Sequence, residues 1–365
     1  MLDTAKPQNA LDDARRASEI CNACRYCESY CPVFPEMFSR RSFADADLGY
    51  LANLCHNCKG CWHACQYAPP HEFGLNLPAT LAEVRIETYA TYAWPRGLGR
   101  LFERNGAFVA WATALAFAAV MIGAMMWVDG EVLTGVHRGE GAFYAVIPHE
   151  IMVLLGGTTF GWAVLAMILG VVGYWRAIAG GMPSWRAIRG ALSDAGTTRH
   201  LGSQGGGCND IDAGFSQGRR HAHTATLWGF LLCFASTSSG TLMHYLLGWD
   251  APYSWYSVPV VLGTVGGVML TVGTAQLFWM KLRTDPAPEG TRRWGMDMGF
   301  IGLLHLTATT GLALLFWRHT SGMGLLLAVH LGVVLALFVT LPYSKFVHGI
   351  YRLAALVKYH QDRAT

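Results

Sequence analysis

Six stretches of this chain, at about 106–128, 149–175, 223–247, 258–280, 297–317 and 323–345, are apolar almost throughout. Each is close to the roughly 20 residues a helix needs to cross a bilayer. The chain is 52% hydrophobic and 14% charged, whereas a soluble domain carries about 25% charge. That deficit points to lipid-facing surface, and a six-helix membrane bundle is expected over residues 101–365. The second stretch suits one long, tilted helix. The third carries Ser236, Thr237, Ser238 and Ser239, tolerable where hydroxyls bond backbone or neighbouring helices.

Loop charges predict the orientation. Arg96, Arg100 and Arg104 precede the first stretch, and Arg176, Arg186, Arg189, Arg199, Arg219 and Arg220 lie between the second and third. Lys281, Arg283, Arg292 and Arg293 follow the fourth, and Lys345, Arg352, Lys358 and Arg363 come at the end. The alternate loops are poor in Lys and Arg: 129–148 has Arg138, 318–322 has Arg318, and 248–257 has neither residue type. By the positive-inside rule the protein is expected in the inner membrane with both termini cytoplasmic. The opening "MLDTAKPQNALDDARR" has no apolar run or cleavage site, so no processing is expected.

Residues 1–100 are mixed in character and hold eight of the ten cysteines. Cys21, Cys24, Cys27 and Cys31 repeat the spacing of Cys55, Cys58, Cys61 and Cys65, each run reading C-x2-C-x2-C-x3-C. This spacing places three thiolates on one iron–sulfur cluster and sends the fourth to its neighbour. The crossing assigns Cys21, Cys24, Cys27 and Cys65 to a first [4Fe–4S] cluster, and Cys55, Cys58, Cys61 and Cys31 to a second. Zinc is the alternative, but its sites leave no use for the third and fourth cysteines of each run. "ADLGYLANL", between the runs, has helical spacing, so a helical ferredoxin-like domain is expected and the fold class is all-α. His56, His63 and His71 are read as surface or supporting residues.

A ligating residue inside a membrane helix is by default a functional candidate. His330 and His348 are 18 residues apart, five helical turns and about 27 Å on one face. His223 and His244 are 21 apart, nearly six turns and about 32 Å. The alternating topology levels His223 with His348 on the cytoplasmic side and His244 with His330 on the outer side. Bis-histidine ligation of two b-type haems is the expectation. His149 and His305 are further candidate ligands, while His319 and His360 are read as solvated. Small residues at Gly240, Gly332 and Gly349 would let a porphyrin approach.

"HLGSQGGGCNDIDAGFSQG" (200–218) has neither a preceding strand nor a following amphipathic helix, which argues against a phosphate-binding loop. A flexible loop is expected, with a docking surface as the alternative. Cys208 reads as a bystander thiol and Cys233 as a buried apolar residue. Tryptophans gather at helix ends, as interfacial anchors do. No hydrolytic triad, paired carboxylates or nucleotide fingerprint is visible, and no nucleic-acid partner is expected.

"CRYCESYCPVFP", "LANLCHNCKGCWHACQYAPPHEF", "HTATLWGFLLCFAST", "GCNDIDAGFS" and "TLPYSKFVHGIYR" resemble the tricarballylate utilisation protein B family, also called the citrate utilisation B type. The last helix also resembles that of the haem b subunit of respiratory nitrate reductase. There a histidine and a P-[FY]-x-[RK]-x-V-H segment carry ligands, which His330 and His348 match. One departure is "RRHAHTATLWGF", where Ala222 separates His221 from His223 in place of two adjacent histidines. The resemblance implies a membrane partner for a soluble FAD dehydrogenase that oxidises tricarballylate to cis-aconitate, its electrons passing through clusters and haem to quinone. The alternatives are a quinol-oxidising subunit feeding a cytoplasmic reductase, and a membrane-bound iron–sulfur redox sensor. The sequence supplies carriers for each step except substrate oxidation, so an FAD-containing partner is required.

Overall fold

A computed structural model of the protein describes residues 9–288 and 294–363. Arg292 and Arg293, counted above among the loop charges, lie outside the described residues, as do the first eight positions. The described residues are helical, apart from loops and one isolated bridge between Cys208 and Ser216. The cysteine domain contains α1 (Ala10–Cys24), α2 (Val33–Phe38), α3 (Asp45–Leu54), α4 (Gly60–His63) and α5 (Leu77–Tyr92). Caps set their limits. The Asn9 side chain accepts from Asp12 N at the start of α1, and Asn76 does the same from Ala79 N before α5, satisfying donors that a helix start leaves free.

After the short 3-10 segment Arg96–Phe102 come α6 (Asn105–Trp127), α7 (Gly130–Leu133), α8 (His149–Ala177) and α9 (Trp185–Gly196). Then follow α10 (Gly218–Leu247), α11 (Val258–Arg283), α12 (Trp294–Trp317), α13 (Met323–Thr340) and α14 (His348–Asp362). Six of these, α6, α8 and α10 to α13, are long and apolar enough to cross a membrane. The 29 residues of α8 and the 30 of α10 each exceed the roughly 20 needed, so both overrun the hydrocarbon layer or tilt within it. The hydroxyls of Ser236, Thr237, Ser238 and Ser239 are all bonded to carbonyls, that of Ser236 crossing to Pro259 O at 2.6 Å.

The sixth apolar stretch departs from the single helix expected over 323–345. Pro342 cannot donate its ring nitrogen and clashes with the preceding turn. Helix α13 stops at Thr340, two 3-10 turns follow at Leu341–Tyr343 and Lys345–Val347, and α14 begins at His348. His330 and His348 therefore lie on different helices, and the five-turn spacing does not describe them.

Helix α14 folds back onto the cysteine domain. Its Tyr351, Ala355 and Leu356 share one core with Leu48, Leu51 and Leu54 of α3 and Leu81 and Val84 of α5. Helix α9 packs on α14 through Ala187 and Ala191, both buried. Within the bundle, α10 and α11 touch backbone to backbone: a Cβ at Gly229 would meet Leu270 N at 2.6 Å, and one at Gly273 would meet Ala222 O at 2.8 Å. Small residues allow such approach where lipid gives no hydrophobic drive to associate. Gly229→Val is expected to force the two helices apart at about 1–3 kcal/mol, the usual range for overpacking. The melting temperature of the detergent-solubilised variant should fall, while Gly156→Val, whose Cβ points into open space, should leave it unchanged.

Candidate functional site

Local geometry folds each cysteine run around a turn. Helix α1 ends at Cys24, and Arg25, at φ 56°, turns the chain so that Cys27 comes back toward Cys21 and Cys24. In the second run Cys55 caps α3, and Asn57 and Lys59, at φ 55° and 62°, wind the loop before α4. The thiols gather in two groups. Cys21 lies within the electrostatic reach of Cys65, Cys27 and Cys24. Cys31 lies within that of Cys58 and Cys55, which also act on Cys61. Burial, reinforced by the neighbouring thiols, pushes Cys21 up to about 12 and Cys27 to about 11, and holds Cys31 and Cys61 well above the ordinary thiol range. Thiols so placed ionise together only when a cationic centre compensates them.

The donor set fits iron–sulfur clusters, for which Cys21, Cys24, Cys27 and Cys65 would hold one and Cys31, Cys55, Cys58 and Cys61 the other. Among the described residues no three His, Cys, Asp or Glu stand close enough to hold a single metal ion. A zinc site would need its sulfurs about 2.3 Å from one centre. His71 Nδ1 accepts from Phe73 N, and His56 Nδ1 is bonded to Leu54 O. Backbone thus holds both histidines.

The 200–218 segment, expected to be a flexible loop, docks on the second cysteine run. Asn209 N donates to Cys58 O at 2.9 Å, and the buried Lys59 ammonium donates to Asp210 O at 3.3 Å. Cys208 is buried and donates to Leu201 O. Three arginines then converge on the carbonyls around Cys55. Arg85 of α5 donates to Ala52 O and Cys55 O, both at 2.7 Å. Arg352 of α14 donates to Asn53 O at 3.3 Å and to Cys55 O at 2.9 Å. Arg219 of α10 donates to Asn57 O at 2.7 Å and His56 O at 3.3 Å. Sequence reasoning counted Arg219 and Arg352 as loop charges. Their offsets of four residues from His223 and His348 were the available signal.

Those two histidines face each other. The His223 and His348 ring centroids are 6.1 Å apart with planes at 86°, whereas His221 is exposed. The His348 Nδ1 is 2.5 Å from Lys345 O, a bond that fixes its proton there and leaves Nε2 as the ligating nitrogen. A metal–imidazole bond of about 2 Å on each side, with about 1 Å more to each ring centre, puts axial ligand centroids about 6 Å apart. The pair fits bis-histidine ligation of a haem.

The expected far-end pair is not formed. His244 lies in the last turn of α10, while His330 sits two turns inside α13, about 10 Å from its end at 1.5 Å per residue. His244 stacks on His149 instead, with centroids 3.9 Å apart, and its Nδ1 is 2.8 Å from Asp250 Oδ1. That spacing is too short for a metal between the rings. His330 bonds Thr310 Oγ1 at 2.9 Å and His305 bonds Thr274 Oγ1 at 3.0 Å, each between neighbouring helices. His360, expected to be solvated, joins His200 on Asp194, at 2.9 and 3.0 Å. Burial would raise the Asp194 carboxyl, but those two bonds outweigh it and hold it down to about 2.

Two cysteine quartets in a small helical domain, fixed to six membrane-length helices, define an iron–sulfur-type membrane protein. Residues 14–91 match the family described as the citrate utilization protein B Fer4-like domain, and residues 102–365 match citrate utilization protein B. The chain belongs to the citrate utilization protein B family. It is 47% identical over 349 residues to citrate utilization protein B of Escherichia coli, covering 95% of this chain and 91% of that protein. No solved structure matches it.

The thiol grouping makes a crossed prediction. Protein purified anaerobically should hold about eight non-haem iron atoms, as two cubanes need. Cys65→Ala should remove the same four-iron EPR signal as Cys21→Ala, although Cys65 lies in the other run. Loss of the signal shared with Cys58→Ala instead would show that each run binds its own cluster.

Proposed function

We propose that this protein is a membrane electron-transfer subunit that reoxidises a partner FAD dehydrogenase, of the kind converting tricarballylate to cis-aconitate, and delivers the electrons to quinone. The name of its family and of its Escherichia coli relative ties them to the use of citrate, a tricarboxylate of the same chemical class. Two [4Fe–4S] clusters and one haem b would supply one-electron carriers that no amino-acid side chain provides at these potentials.

The observation that carries this reading is the linkage between the second cysteine run and the histidine pair. Arg219 stands one turn before His223 on α10, and Arg352 one turn after His348 on α14. Both hold carbonyls in the segment 53–57, so the two candidate carrier sites share one rigid mount. The first cysteine group lies toward the surface: Tyr26, within its run, is 65% exposed, which leaves that side open to a soluble donor. The basic loops gather at the end of the bundle bearing the cysteine domain, which the positive-inside rule places in the cytoplasm, where such a donor resides.

Dithionite-reduced protein should be reoxidised by a short-chain quinone. A reduced FAD dehydrogenase partner should reduce the haem in the wild type and fail to do so in the Cys21→Ala, Cys55→Ala double variant. Stopped-flow traces with an unchanged rate of haem reduction in that variant would sink the proposed order of carriers.

A further inference from the structure

A cavity lies between the second cysteine run and the histidine pair. His223 and His348 line it, together with Arg85, Arg219, Lys345 and Arg352. Four cationic side chains thus meet at one hollow, drawn from α5, α10, the turn before α14, and α14 itself. Carboxylates outside the lining bond two of these cations: Asp210 is 3.3 Å from Arg219, and Asp297 pairs with Lys345. No Asp or Glu is among the residues lining the cavity.

The other side of the histidine pair is apolar. The Phe300 ring lies 6.5 Å from His348 and 6.2 Å from Phe346, which in turn lies 5.4 Å from Phe230. A b-type haem has a hydrocarbon edge and an edge bearing two carboxylates. Burying a carboxylate among phenylalanines without a partner is expensive, whereas pairing it with hydrogen-bonding cations offsets much of that penalty. The surroundings of the pair therefore admit one orientation of such a molecule.

We propose that the cavity is the site for the two haem propionates, with Arg219, Lys345 and Arg352 as their cationic partners and Arg85 as the charge behind them. The assignment rests on the reading of His223 and His348 as haem ligands. Arg352 shares the cavity wall with Arg85 and Arg219. A guest bearing negative charge relieves that crowding. Because Arg219 and Arg352 also donate to the carbonyls of the cysteine loop, the propionate edge would face the second cysteine group, and the hydrocarbon edge would face the bundle.

The test compares haem with its dimethyl ester, which keeps the iron and ring but carries no carboxylate charge. Full-length protein produced without haem is titrated with each in detergent. Haem should give a low-spin bis-histidine spectrum that His348→Ala abolishes. The ester should bind at least about tenfold more weakly, the least that losing charge-assisted hydrogen bonds implies. Arg352→Gln should weaken haem binding, narrow the gap to the ester and lower the haem midpoint potential, while Arg352→Lys should preserve the gap. Equal binding of haem and ester by the wild type would overturn the propionate assignment and leave the histidine reading intact. Absence of a low-spin spectrum with either compound would overturn the histidine reading itself. If Arg352→Gln does not fold, the wild-type comparison alone decides.

Discussion

The hydrogen bonds from Arg85, Arg219 and Arg352 to the carbonyls of residues 52–57 hold this molecule together at its functional centre. Presenting Cys55, Cys58 and Cys61 to a common point requires an irregular chain, and two left-handed residues provide it. An irregular chain leaves carbonyls without helical partners, and buried carbonyls need donors. Guanidinium groups suit the task, since each presents several N–H groups in a fixed fork. Because the three arginines come from the cysteine domain, a membrane helix and α14, satisfying the loop also fixes where those elements stand. Bundle and domain become one body through the backbone of a single loop.

Much of this was legible in the sequence. Apolar length alone located six membrane-length helices, and regular spacing identified the eight thiols that the structure gathers into two groups. Level-matching also anticipated that His223 meets His348, although the five-turn argument behind His348 does not hold. The level came out right because the chain after Pro342 continues in short turns at the same end of the bundle. The far-end pair was not legible. Spacing along a helix gives depth, but which helix a side chain faces depends on packing. His244 and His330 differ in depth and face different neighbours, Asp250 and His149 for one and Thr310 for the other.

Charged residues also carry more than the sequence discloses. Counting Arg219 and Arg352 as loop charges serves topology but conceals chemistry. A charge next to a candidate ligand has two possible roles, and composition does not separate them. The same holds for His360 and Asp194, whose bond joins α14 to α9. The segment around Asn209 reads as loose because glycines surround it, yet its backbone bonds the cysteine loop. Glycine content indicates what a backbone is allowed to do, and its partners determine what it does.

Helix α14 has a consequence for how the protein is made. Chains emerge from the ribosome amino end first, so the cysteine domain appears before any membrane helix. Yet its core lacks Tyr351, Ala355 and Leu356 until the whole bundle has been translated, and the Cys55 carbonyl lacks Arg352 until then. The fold of the cysteine domain is therefore completed only after the last membrane-length helix has been made, with the final helix as the latch. The domain that is synthesised first is finished last.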